Sequence, residues 1–173
     1  MAAISRKGSA PAGQYANPDF SALAISELTG ALNVLLADYF ALFVKTKGFH
    51  WHVPGPNFRE RHALLDEHAA AISAVFNPLA ERIRKLGGTT ITSVGDIARR
   101  RRIADCNDAG LQAVQIFKIL HDDNQQLLSC LRESHGLCDA YGDTATSGLL
   151  DIWIDQAEER VWHLYEACRP EPP

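Results

Sequence analysis

What the chain does not contain narrows its class first. Met1 to Phe20 has no apolar central stretch, so by composition it is not a secretory leader. The most apolar window, Ala31 to Val44, is interrupted by Asn33 and Asp38 and falls short of the roughly 20 apolar residues that span a bilayer. Cys106, Cys130, Cys138 and Cys168 show no C-x-x-C spacing, and a chain of 173 residues needs no disulfide framework. Free thiols in a reducing cytoplasm are expected. Neither sign of charge dominates: the net charge of -4 gives no global pull towards nucleic acid or an anionic membrane, so such binding would need a local basic patch. No alternating β pattern and no internal repeat is visible.

What is present is a series of helical stripes in a chain with 46% hydrophobic and 22% charged residues, enough for one domain with a sizeable core. Residues 1–20 are rich in Ala, Gly, Ser and Pro, which predicts a flexible tail. From Ser21 onwards Ile25, Leu28, Leu32, Leu35, Tyr39 and Leu42 recur every three or four residues. That helix runs to about His50, and Pro54-Gly55-Pro56 stops it. Asn57, with Glu60 three residues on, reads as the cap of a second helix ending at Gly87-Gly88. A long linker follows, with one short helix from Val94 to about Arg101. Asn107 and Asp108 signal a third helix with Leu111, Val114, Phe117, Leu120, Leu127 and Leu131 along its stripe. Asp143 and Thr144 cap a fourth, which turns Leu150, Trp153, Ile154, Ala157, Val161 and Leu164 inward until Arg169-Pro170 closes it. The fold class is all-α: a four-helix bundle whose second and third helices are joined by a linker long enough to cross it.

Metal chemistry concentrates between His50 and Glu81. His62 and Asp66 are four apart and share a helix face, and Asn77 and Glu81 repeat that spacing. Asp66 and Asn77 lie about 16 Å apart along a continuous helix, whereas metal–ligand bonds are about 2 Å. One helix cannot close them on one ion. A second copy running antiparallel can, because the pairs 62/81 and 66/77 share a midpoint between residues 71 and 72. Ala69, Ala70, Ala71 and Ile72 are small enough there for close approach, and a twofold axis gives two equivalent sites that His50 can complete. Mixed imidazole and carboxylate donors suit a divalent first-row metal such as iron. Taken singly, each of these residues is more often part of a solvated face, with Glu81 paired to Arg82 or Arg84.

The run G-F-H-W-H-V-P-G-P-N-F-R-E-R-H-A-L-L-D from Gly48 to Asp66, and A-E-R-I-R-K-L-G-G from Ala80 to Gly88, resemble the Dps mini-ferritins. So do D-N-Q-Q-L-L from Asp123, D-T-A-T-S-G-L-L from Asp143 and E-E-R-V-W-H-L from Glu158. The resemblance covers residues 21–168 and implies a ferritin-like bundle, with 1–20 as N-terminal tail and 169–173 as a short C-terminal tail. It implies a hollow homododecamer whose dinuclear iron sites lie at twofold interfaces. There His50, His62 and Asp66 of one subunit would meet Glu81 of its partner. The implied activity is that of a ferroxidase oxidising Fe²⁺ with hydrogen peroxide or O₂, storing ferric mineral, and protecting the cell, including its DNA. The implied location is the cytoplasm, or the nucleoid if DNA is bound.

Two departures stand out. Asn77 occupies a position where the family usually has Asp, and Pro78 follows it inside the expected helix. Weaker binding of one of the two irons is therefore expected. Gly148 stands where relatives often carry an acid lining the threefold iron-admitting pore, leaving Asp143 and Asp151 as substitutes. The run Arg99–Arg102 is the one basic patch dense enough to hold phosphates, although a solvated or ion-paired surface is the commoner meaning. A DNA-binding cage with weak or lost iron chemistry is the alternative function. Trp51 is expected to pack against the site beside His50.

Overall fold

A computed structural model describes residues 15–169. The tails expected over 1–20 and 169–173 fall largely on residues 1–14 and 170–173, outside the described residues. Ser21 starts α1 (Ala22–His52) by accepting a hydrogen bond at Oγ from the Ala24 N–H at 3.1 Å. Its stripe of Leu28, Leu32, Leu35, Tyr39 and Leu42 is fully buried or nearly so. By length and composition α1 could cross a membrane, but 56% of its most apolar window is buried inside the bundle.

The two polar interruptions of that window have a structural purpose. Asn33 donates from Nδ2 to the Thr29 and Thr89 carbonyls, both at 2.9 Å. Asp38 accepts from the Arg102 main-chain N–H at 2.5 Å and from its Nε at 2.8 Å. Both residues are buried and staple the long linker to α1, an arrangement that satisfies the Asn33 amide nitrogen and the Asp38 carboxylate.

The expected second helix is two segments: α2 (Phe58–Ala74) and α3 (Phe76–Leu86). Pro78 causes the break. It has no N–H, and its ring excludes the carbonyl four residues back, which belongs to Ala74, the last residue of α2. Val75 is the linking residue, and its N–H turns back to the Ile72 carbonyl at 3.2 Å. Pro78 thereby falls in the first turn of α3, where its missing donor would have had no partner. Phe76 anchors the joint by stacking on Phe40 at 4.1 Å and meeting Phe43 edge-on at 5.5 Å. At the other end, Asn57 does precede α2, but its backbone is left-handed (φ 57°) and its side chain makes no capping hydrogen bond.

At Gly87 (φ 100°) a Cβ would lie 2.9 Å from the Tyr15 carbonyl and Ala16 Cα, so only glycine allows residues 15 and 16 to pass there. The short linker helix α4 (Val94–Arg100), capped by Ser93, packs on α1. The third long helix, α5 (Ala113–Tyr141), starts later than Asn107/Asp108 suggested. Gln112 and Gln115 form its capping box, and Val114 is exposed rather than part of the core stripe. Asp143 caps α6 (Thr144–Ala167) as expected, accepting from the Thr146 N–H at 3.1 Å. The bundle is thus α1, α2/α3, α5 and α6, with α5 along α6 and α1 along α2. Asp123 and Asn124 serve this packing. Asp123 pairs with Lys45 of α1 at 2.5 Å, and Asn124 accepts from Arg160 of α6 at 2.8 Å.

Candidate metal centre

His50 ends α1 and His62 sits in the second turn of α2, and the two helices bring the rings into a stack with centroids 3.6 Å apart. Each Nδ1 lies 2.8 Å from the other residue's main-chain carbonyl. A carbonyl can only accept, so both Nδ1 atoms carry the proton and both Nε2 atoms keep a lone pair. This is how metal-binding histidines are usually held: one ring nitrogen donates to a fixed acceptor, and the other is left free to ligate. Phe58 covers His62 from its other side at 5.1 Å.

Asp66 lies one turn beyond His62, with its side chain 56% exposed and paired to Lys47 Nζ. Lys47 is one turn before His50 on α1, so the ammonium bridges the two helices at the same level. The hydrogen bond from Lys47 is the main reason the Asp66 carboxyl titrates below its ordinary range, and the charge of Lys47 and the two histidines pull the same way. Sequence reasoning missed Lys47, because nothing in its own helix marks it.

Glu81 stands apart. It projects from α3 beyond the Val75 break, accepts from Asn77 Nδ2 at 2.9 Å and lies 3.7 Å from Lys85 Nζ. Arg82, one of the partners considered for it, instead reaches Asp143 at 2.5 Å and the Thr146 hydroxyl at 2.7 Å. One chain therefore pairs His50 with His62, holds Asp66 one turn away on Lys47, and leaves Glu81 apart. Among the described residues, no group of three or more His, Cys, Asp or Glu side chains is placed to hold a metal within the chain.

Other expectations are corrected. Trp51 does not pack on the histidine pair; it is 67% exposed and lines a groove of about 630 Å³ facing α4. Asp143 is buried and committed to Arg82 and the α6 cap, which removes it as a pore-lining acid. Asp151 stays exposed and meets His135 Nε2 at 3.0 Å. A Cβ at Gly148 would meet nothing within 4 Å, so the space of the family's acid is open. The basic run is spoken for: Arg99 and Arg100 pair with Asp96, Arg101 with Asp105 and Arg102 with Asp38.

The ferritin-like domain family matches residues 29–169 of this chain. A DNA protection during starvation protein from Brevibacillus brevis is 30% identical over 77% of the chain and 89% of its own length. The chain is a Dps-family mini-ferritin. A low-temperature-induced protein from Nostoc is 32% identical to this Dps-family chain, over 83% of it and 82% of the relative. The crystal structure of a Dps protein from Vibrio cholerae, described as a member of a broad superfamily of ferritin-like diiron-carboxylate proteins, superposes with a TM-score of 0.85. It is 28% identical and covers 94% of this chain and 100% of that one. A Dps crystal structure from Bacillus brevis gives a TM-score of 0.82 at 27% identity, over 87% and 100% of the two chains.

Proposed function

We propose that this chain binds Fe²⁺ as its substrate and oxidises it at a site shared between two subunits. The carrying observation is the His50–His62 pair, two imidazoles fixed in the tautomer that leaves both Nε2 atoms able to bind a metal. Asp66, exposed and ionised beside them, adds a carboxylate. Glu81 is the partner subunit's contribution, delivered across a twofold axis near residues 71 and 72. Its exposure and its attachment to Asn77 alone among neutral partners leave it free to reach outwards. The diiron-carboxylate description of the Vibrio cholerae relative supports iron as the metal.

The chemistry balances with hydrogen peroxide. Two Fe²⁺ ions give up one electron each, peroxide accepts both with two protons, and two waters form without a free hydroxyl radical. The chain's residues hold and orient the ions; Phe58 shields one face of His62. A cytoplasmic dodecamer storing the ferric product is the assembly this reading implies.

A DNA-protecting role is the second reading, favoured by the name of the Brevibacillus relative. The ion pairing of Arg99 to Arg102 speaks against that patch as the contact. Stopped-flow absorbance with Fe²⁺ and then peroxide tests the proposal on wild type and Glu81→Ala. Rapid oxidation that collapses in the variant supports it. A wild-type rate no faster than buffer sinks it, and a gel shift at physiological salt then decides whether DNA binding takes its place.

A further inference from the structure

The charge of Arg160 is unanswered in the middle of the bundle. The residue is 2% exposed, and Nε donates to the Asn124 side-chain oxygen at 2.8 Å. Nη1 and Nη2 are sealed from solvent, and the acceptor beside them is the neutral Tyr39 hydroxyl oxygen. Among the described residues no carboxylate hydrogen-bonds the guanidinium, and the neighbouring Glu159 is exposed and acts on it only through space. The Tyr39 hydroxyl, on a ring that is 0% exposed, is sealed in with the guanidinium and has no acceptor for its own proton among the described residues. Burial pushes the phenol up to about 12, and the charge and hydrogen bond of Arg160 oppose that rise. His68, also buried, borders the same group through α2 and is stacked on His163 of α6.

The Tyr39 oxygen is thus the one acceptor this pair of side chains from α1 and α6 offers its own donors, since a guanidinium can only donate, and it cancels none of the charge. Leaving such donors unpaired and a cation uncompensated is among the least favourable arrangements a protein core can hold. Water could take two of the donors but would not cancel the charge. A single anion does both. Complete burial and the surrounding apolar side chains favour one that is small, monovalent and weakly hydrated.

We propose that Tyr39 and Arg160 form a binding site for one small inorganic anion of the chloride class, held by Arg160 Nη1 and Nη2 and the Tyr39 hydroxyl. The site ties α1 to α6 inside each subunit. It uses none of the residues assigned to iron, so it stands or fails independently of that reading.

The test uses the full chain. Crystals soaked in bromide are measured at the bromine edge. Thermal melting is followed as sodium chloride replaces sodium gluconate at constant ionic strength, because binding to the folded state alone raises Tm with ligand concentration. Expected are an anomalous peak at hydrogen-bond distance from Tyr39 and Arg160, and a wild-type Tm that rises with chloride. Arg160→Met, a near-isosteric neutral replacement, abolishes the chloride dependence. Tyr39→Phe removes one donor and weakens the chloride midpoint by about tenfold, and it carries the test if the methionine variant does not fold. No bromine peak at the cluster, an ordered water alone there, or a chloride dependence unchanged in Tyr39→Phe overturns the proposal.

Discussion

His50 and His62 lock each other in place: each ring donates its Nδ1 proton to the other's main-chain carbonyl at 2.8 Å, with the rings stacked between. The lock joins the last turn of α1 to the start of α2 across the Pro54-Gly55-Pro56 turn. His62→Ala removes one ring-to-carbonyl bond and the stack that orients the His50 ring, leaving the His50 bond to the residue 62 carbonyl without its support. Anaerobic titration of the variant with Fe²⁺ or Co²⁺ should show affinity weakened by about 100-fold or more, judged from what orienting partners alone are worth. The metal-free fold should lose about 1–3 kcal/mol. Unchanged affinity would place the metal elsewhere.

Lys47 occupies Asp66 in the metal-free chain, so a cation arriving at that carboxylate must displace an ammonium. Lys47→Met should therefore tighten Co²⁺ binding while raising the Asp66 titration back towards its ordinary range. The sign for stability follows from the depressed carboxyl. The ion pair stabilises the fold above the unfolded Asp value of about 3.9 and stops doing so as pH falls through the lower folded value. Asp66 is exposed and Lys47 only half-buried, so that contribution is small and the metal titration is the sensitive readout. Weaker Co²⁺ binding in the variant would mean that Lys47 supports the site rather than competes for it.

The helical stripes were legible because burial repeats with the helix period, and Leu28, Leu65, Leu79 and Leu150 are all buried as that period requires. The roles of Asn33 and Asp38 were not, because their partners lie 56 and 64 residues away on the linker. Pro78 was visible inside the expected second helix, but where that helix breaks follows from a steric contact with the fourth residue back, which puts the break before Phe76. The start of α5 was misplaced because Asn107 and Asp108 are ordinary loop residues and the less familiar Gln112–Gln115 pair does the capping. Of the centre, the histidines and Asp66 were legible from spacing. Lys47 and Arg160 were not, since each acts across helices and neither belongs to a local pattern.

Asn77 donates to Glu81 at 2.9 Å, a bond a carboxylate in its place could not make. Neutral and already engaged, it supplies no charge to a second ion. Anaerobic Fe²⁺ titration should find one tight iron per subunit and a second bound only at higher concentration. Asn77→Asp should bring the second into the tight class while costing the metal-free fold up to about 0.5 kcal/mol from like charges one turn apart. Two tight irons in the wild type would refute this.

His68 makes the metal-free fold sensitive to mild acid. Burial first, then the charges of Arg160 and His163, push its folded value down to about 3, against an unfolded value near 6.5. Above the unfolded value both states are neutral at this residue and stability is flat. Below it the unfolded chain takes up a proton that the folded chain refuses, so stability declines as pH falls from about 6.5 towards about 3. Each unit in that window is worth up to about 1.4 kcal/mol from this residue alone. Denaturant melts of the metal-free protein at pH 7, 6 and 5 should show a progressive loss, and His68→Gln, which cannot take up the proton, should flatten the profile. An equal decline in both proteins would assign the acid sensitivity to other groups and leave His68 as a bystander.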